Sequence, residues 1–330
     1  MSASRSAWPR PEKARRRPRS SNAPTPSSTG KSRKPDPQSF LLPSGWETCS
    51  VVRFFQDKTV LITGAGRGIG KRLALGFARS KARVGLLART KAELDLADLE
   101  IEHAGGVSLR LRADVRDYRQ VATAVERIKA QYGDIHTLIC AAGVQGPIGP
   151  LTDSDPKHWA DVVGVNLIGA FHVCRAVLPS MIERRRGKII LLAGGGAEEP
   201  RPNFSAYAAS KAAIVRLAET LAEEVREHNI QVNCMDPGPT YTNMTDEIVQ
   251  AGDLAGGREV QQATEIRGTG GISPDRQIQL AMFLASDKSN HISGRLISVD
   301  DNWKKLENHN LQPNLYTLRR YTKTAVLAAT

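Results

Sequence analysis

Cysteine is scarce in this chain: Cys49, Cys140, Cys174 and Cys234 are the four in 330 residues, widely separated and without metal-ligand spacing. That excludes a cysteine-built metal site and predicts reduced thiols in a cytoplasmic protein. Long apolar runs are also missing. The strongest cluster, residues 189–193, is bounded by Lys188 and a run of glycines, well short of the roughly 18 to 20 apolar residues of a membrane span. No membrane association is expected. The N-terminus has no apolar signal core either, so the triplet Arg15-Arg16-Arg17 does not read as a twin-arginine export signal.

Acids are nearly absent from the first forty residues, where ten Lys or Arg face only Glu12 and Asp36. That segment supplies 10 − 2 = +8 of the net +12, leaving +4 for the other 290 residues, an ordinary balance for a soluble enzyme. Whole-chain basicity is therefore poor support for a nucleic-acid partner, and no nucleic-acid-binding motif accompanies it. Residues 1–50 also hold eight of the eighteen prolines and almost no periodic apolar pattern. Such a segment buries too little surface to offset its ordering entropy and is predicted to be a disordered basic tail. Three readings of it stay open: a tethered tail, a targeting segment, or an upstream extension outside the working protein.

From Lys58 the pattern changes. Strand-like runs at 59–63, 83–87, 107–111, 137–141, 188–192, 231–235 and 295–299 alternate with helix-like segments, including 70–80, 91–104, 118–131, 157–185, 206–228 and 274–285. This alternation predicts an α/β fold: a Rossmann-type doubly wound parallel sheet of about seven strands with helices on both faces. One domain over residues 51–304 is expected, followed by a C-terminal extension, 305–330.

After the first run stands Thr63-Gly64-Ala65-Gly66-Arg67-Gly68-Ile69-Gly70, opening a helix. Glycines allow close backbone approach, and a helix N-terminus offers free N–H groups to a pyrophosphate. The strand–turn–helix context is what dinucleotide binding demands. The second strand ends Leu86-Leu87-Ala88-Arg89-Thr90. An acid there would bond an adenosine ribose and repel a 2′-phosphate; instead there is Arg89, with Arg67 as a second cation. Two guanidinium groups without an opposing carboxylate favour NADP(H), with NAD(H) still possible. Asp114, followed by Val115 after the third strand, suits an adenine amino group.

Tyr207-Ala208-Ala209-Ser210-Lys211 puts Tyr and Lys at i and i+4 on one helix face. A phenol titrates at about 10, and a neighbouring ammonium lowers that value toward usefulness in acid–base work.

Together, the glycine turn and the YxxxK pair resemble the short-chain dehydrogenase/reductase family over about residues 56–300. The resemblance implies that the turn holds the cofactor pyrophosphate, that Tyr207 is the general acid/base, and that Lys211 binds the nicotinamide ribose and tunes Tyr207. It extends to Cys140-Ala141-Ala142-Gly143, where the family usually has Asn-Asn-Ala-Gly. Asn166 matches the asparagine that kinks a helix and holds a relay water. Pro237, Gly238 and Thr242 match the PGxxxT segment at the nicotinamide end. The implied substrate is a small carbonyl or alcohol, polar or sugar-like, and the implied assembly a homodimer or homotetramer.

One departure stands out. The family's catalytic serine lies thirteen residues before the tyrosine, and here that position is Gly194, in Ala193-Gly194-Gly195-Gly196. Losing such a donor costs on the order of 2 to 4 kcal/mol in the transition state unless something compensates. Backbone N–H groups of the glycine run, or Ser205, are the candidates. Two functions follow: an NADP(H)-dependent alcohol/carbonyl oxidoreductase, or a cofactor-binding sensor with little turnover. Residues 243–271 correspond to the family's substrate lid. Asp300, Asp301, Trp303 and the tail with Tyr316 admit two roles, closing a pocket around a sugar or other polyol, or surface packing against a partner subunit.

Overall fold

A computed structural model describes residues 54–309, 311–312 and 314–319. The expected basic tail, and Cys49 within it, lie outside the described residues. Seven parallel strands form one sheet in the order β3-β2-β1-β4-β5-β6-β7. They are β1 (Thr59–Thr63), β2 (Arg83–Ala88), β3 (Val107–Arg112), β4 (Ile135–Cys140), β5 (Gly187–Leu192), β6 (Ile230–Asp236) and β7 (Leu296–Ser298). The central strands are rich in Val, Ile and Leu because both their faces are covered; every residue of β1 and β5 is buried. β3, at one edge, is mostly exposed.

The helices are α1 (Gly68–Arg79), α2 (Lys91–His103), α3 (Tyr118–Tyr132), α4 (Pro156–Val163), α5 (Gly169–Glu183), α6 (Ser205–Glu224), α7 (Asn243–Ala251), α8 (Gly257–Thr269) and α9 (Pro274–Ala285). Their starts follow from local chemistry. Asp117 caps α3 by accepting from the N–H groups of Arg119 and Gln120, and Asp155 caps α4 ahead of Pro156. Val125, Val173 and Ile214, from α3, α5 and α6, belong to the core on one face of the sheet. Phe77, Ile101 and Phe283, from α1, α2 and α9, belong to the core on the other. The architecture is the expected doubly wound α/β sandwich.

Two expectations need correction. The segment read as one helix over 157–185 contains a π-helical turn, Gly164–Ile168, between α4 and α5. Continuous from Pro156 to Glu183, it is also long and apolar enough by composition to cross a membrane, which a search for unbroken apolar runs missed. In the fold it packs beside the sheet, with Val165, Val173 and Val177 in the core. The reading of Trp303 as a sugar contact also fails. Trp303 is buried, its ring 5.3 Å from that of Phe283, while Asp301 accepts from the Ser298 N–H and Asp300 pairs with Arg276. Trp303 packs into the core of its own chain. Tyr316 likewise packs against this core, and its carbonyl accepts from the Leu296 N–H.

The chain leaves β1 in one direction through β2 and β3, then returns to add β4 on the other side. The carboxyl ends of β1 and β4 therefore face a crevice at the switch point, where sheets of this kind bind ligands.

Candidate active site

A cavity of about 910 Å3 opens at that switch point. It gathers Gly64, Gly66, Arg67, Gly68, Ile69 and Gly70 of the turn, with Arg89, Val115, Ala141, Gly143, Tyr207, Lys211, Pro237, Gly238 and Thr242. Residues spread over nearly 180 positions thus converge on one space. Gly64 has a φ of +65°, and a Cβ there would lie 2.8 Å from the backbone of Ala142. The turn can press against the end of β4 only because residue 64 is glycine. Thr242 precedes α7, and its methyl lies 3.5 Å from where a Cβ of Gly68 would stand, so α7 begins directly against the glycine turn.

Two anticipated residues do not line the cavity. The Asp114 carboxylate is held by Arg116, with Nη2 to Oδ2 at 2.8 Å, which keeps its pKa below the usual carboxylate range. It is committed to that ion pair, and its neighbours Ala113 and Val115 form the wall instead. Asn166 sits in the π turn behind the wall. Its Oδ1 accepts from the Val144 N–H (2.9 Å), and its Nδ2 donates to the Val144 carbonyl (3.0 Å) and to Ser210 Oγ (2.9 Å). Both amide hydrogens are used. The extra residue of a π turn, a feature frequent at functional sites, turns this side chain toward the end of β4.

The Lys211 ammonium donates to the Leu192 carbonyl at 2.8 Å and lies 5.5 Å from the Tyr207 ring centre. Both residues are buried. Burial pushes the Tyr207 phenol up to about 12 and Lys211 down to about 8. At Tyr207 desolvation dominates, and the Arg201 cation opposes it. Asp236, at the end of β6, is nearly buried; burial holds its carboxyl above the ordinary range, and its negative charge favours the charged form of Lys211.

At Gly194, φ is +154°, and a Cβ would lie 2.8 Å from the Tyr207 hydroxyl. The tyrosine oxygen therefore borders the space a serine side chain would need. Ser205 does not replace it: it is not among the residues lining the cavity, and its Oγ faces Trp159, accepting from the indole N–H at 3.1 Å. Gly194, Gly195 and Gly196 all line the cavity.

A carboxylate does oppose one of the two arginines, Arg67. Glu93, in the first turn of α2, approaches Arg67 with Nη1 to Oε1 at 3.4 Å, and a Cβ on Gly66 would come within 2.8 Å of its Cβ. Arg89 lines the same end of the cavity and is exposed. Sequence reasoning passed over Glu93, Arg201, Asp236 and Glu259. Glu93 was within reach, lying one helical turn after Arg89. Arg201 and Glu259 are 58 positions apart, and no local pattern joins them.

A family model described as short chain dehydrogenase matches residues 58–253. A 3-oxoacyl-[acyl-carrier-protein] reductase of Thermotoga maritima is 34% identical over 245 residues, covering 74% of this chain and 97% of its own. Among solved structures, an NAD+-bound xylitol dehydrogenase aligns with TM-score 0.68 and 28% identity, over 74% of this chain and 98% of that one. A gluconate 5-dehydrogenase from Burkholderia cenocepacia, in complex with NADP and tartrate, aligns with TM-score 0.68 and 29% identity, over 78% and 99%. The glycine turn, the Tyr207–Lys211 pair, the sheet order and these likenesses agree: the chain belongs to the short-chain dehydrogenase/reductase family and is an oxidoreductase acting on CH–OH and C=O groups.

Proposed function

We propose that the protein is an NADP(H)-dependent enzyme that interconverts an alcohol and a carbonyl in a small, polar, sugar-acid-like substrate, with Tyr207 as general acid/base. The observation that carries this reading is the Tyr207 hydroxyl, which borders the same cavity as the glycine turn, with Lys211 beside it. The turn fits a dinucleotide: Gly64, Gly66, Gly68 and Gly70 border the cavity without a Cβ, ahead of the free N–H groups of α1. Arg89 and Arg67 would meet an adenosine 2′-phosphate, Val115, Ala141 and Gly143 would flank the nucleoside, and Lys211, Pro237, Gly238 and Thr242 would border the nicotinamide end. The bound cofactor supplies a hydride donor or acceptor.

The chain's own contribution is to orient and to move a proton. Tyr207 gives its proton to the substrate oxygen during reduction and takes one during oxidation. Lys211, held by the Leu192 carbonyl and facing the field of Asp236, places a positive charge near that exchange. Asn166 fixes Val144 and Ser210 and so positions the wall between Lys211 and Tyr207; one Oδ1 lone pair remains for a relay water. Preference for NADP(H) rests chiefly on Arg89, since Glu93 partly offsets Arg67. A polar substrate suits the lid side, where Glu199, Arg201, Asn203, Glu259 and Gln262 face the cavity. The similar gluconate 5-dehydrogenase, solved with tartrate bound, supports the same class.

Assembly as a homodimer or homotetramer is also proposed, through α5 and its neighbour α6; Ile168 and Phe171 are exposed there. Light scattering on the purified chain would read the assembly.

A panel of keto-acids, polyols and sugar acids with NADPH, NADH and their oxidised forms tests the activity. Turnover by the wild type and its loss in Tyr207→Phe are expected. Undiminished turnover in that variant would remove Tyr207 from the mechanism.

A further inference from the structure

In this family fold the substrate oxygen needs a second donor beside the tyrosine, and Gly194 offers no hydroxyl. Beside the next residue of the glycine run, Gly195, stands a guanidinium. Arg201 follows the glycine run, and its Nη1 is 3.8 Å from where a Cβ of Gly195 would stand. Its plane lies 4.0 Å from the Phe204 ring centre and 5.6 Å from that of Tyr207. Nε and Nη2 both donate to Glu259 Oε2, at 3.2 and 2.7 Å. Nη1 has no hydrogen-bond partner among the described residues, and Arg201 lines the cavity. The side chain is thus gripped on two nitrogens and stacked on an aromatic face, with the third nitrogen beside Gly195 of the 194–196 run. Arg201 and Glu259 side chains are only 16% and 23% exposed, so the cation is shielded from bulk water, where such a donor is strongest.

We infer that Arg201 takes over the work of the absent hydroxyl, its Nη1 donating to the reacting oxygen of the substrate, with Glu259 of α8 as the residue that positions it. The inference rests on the oxidoreductase reading above and deepens it. In reduction, the carbonyl carbon accepts a hydride, the C=O π pair moves onto oxygen, and that oxygen takes the Tyr207 proton. Negative charge grows on the oxygen during this step, and Nη1 would meet it. The same positive charge opposes the rise that burial imposes on the Tyr207 pKa, which eases loss of the proton. Because the donor is a cation tied to a lid helix, it is complete only when α8 is seated. A flexible substrate bearing several oxygens would be held at the reacting one.

The test compares wild type, Arg201→Ala and Arg201→Lys with NADPH on the wild type's best ketone from the panel. A fall in kcat of about 10² in Arg201→Ala, with KM changed less than about threefold, is the signature of a transition-state donor. Added guanidinium chloride at millimolar concentration should recover at least about tenfold of that loss, with an equal concentration of sodium chloride as control, and Arg201→Lys should fall between. Unchanged kcat, a loss carried by KM alone, or a loss that guanidinium does not relieve would each overturn the inference and leave the oxidoreductase reading standing. Absence of wild-type turnover across the panel overturns both.

Discussion

The Tyr207 hydroxyl lies 2.8 Å from the point at which a side chain on residue 194 would begin, so the acid/base and the glycine occupy one steric unit. Restoring the usual serine is therefore not a repair. Gly194→Ser combines a φ of +154° with a collision against Tyr207, and a backbone strain of about 1 to 3 kcal/mol is expected in denaturant unfolding. Its kcat should fall below that of the wild type. A serine variant faster than the wild type would show that the glycine is not matched to the tyrosine.

Cofactor choice turns on three side chains. Arg89→Ala should weaken NADPH binding by about tenfold to a hundredfold, the worth of a charge-assisted hydrogen bond, and leave NADH nearly unchanged. Glu93→Gln should do the reverse of weakening: freed from its 3.4 Å partner, Arg67 is available to a phosphate and the NADPH-to-NADH affinity ratio rises. Quenching titrations with both reduced cofactors read these ratios, and equal losses for the two in Arg89→Ala would dismiss the assignment.

Asn166 holds both backbone groups of Val144. Asn166→Ala leaves a buried N–H and C=O unpaired, at about 1 to 3 kcal/mol for each group. Lowered unfolding free energy and a raised KM for cofactor are the expected pair of changes, because Gly143 and Lys211 border the same wall. Full stability in that variant would mean that the π turn does not depend on its asparagine.

Lys188, at the start of β5, is buried with only Ser289 Oγ, 3.2 Å away, as hydrogen-bond acceptor. Burial pushes its ammonium down to about 7 from 10.5. Between those two values the unfolded chain binds a proton that the folded chain has released, so stability rises with pH across the window and is lowest below 7. Lys211, at about 8, acts in the same direction. Lys188→Met should therefore melt higher than wild type at pH 6, with the gap shrinking as pH climbs toward 10. A gap independent of pH would contradict the buried charge.

The parts legible in the sequence are those whose cause is local. Glycines 64 to 70 announce the turn because the chain must bend and approach itself within a few residues. Tyr207 and Lys211 announce their pairing because four residues make one turn of helix. The π turn at Gly164–Ile168 leaves no such trace: inserting one residue into a helix needs only a tertiary partner for Asn166, supplied by Val144 and Ser210 from other elements. The ordering of effects at Tyr207 was also beyond the sequence, since it depends on how deeply the phenol is buried. Trp303 illustrates a third case, where residue type suggests a ligand and packing against Phe283 decides otherwise.

The hydrogen bond from the Leu296 N–H to the Tyr316 carbonyl, 2.8 Å long, gives the last strand a neighbour on its outer side. An outermost strand with free N–H and C=O groups is a template on which another chain can add itself. Here the polypeptide supplies its own cover, anchored further along where the Leu318 N–H donates to Glu219 and Arg319 pairs with the same carboxylate. Residues 316–319 thus guard against edge-to-edge sticking, and their value would show in shelf life and colloidal behaviour rather than in turnover.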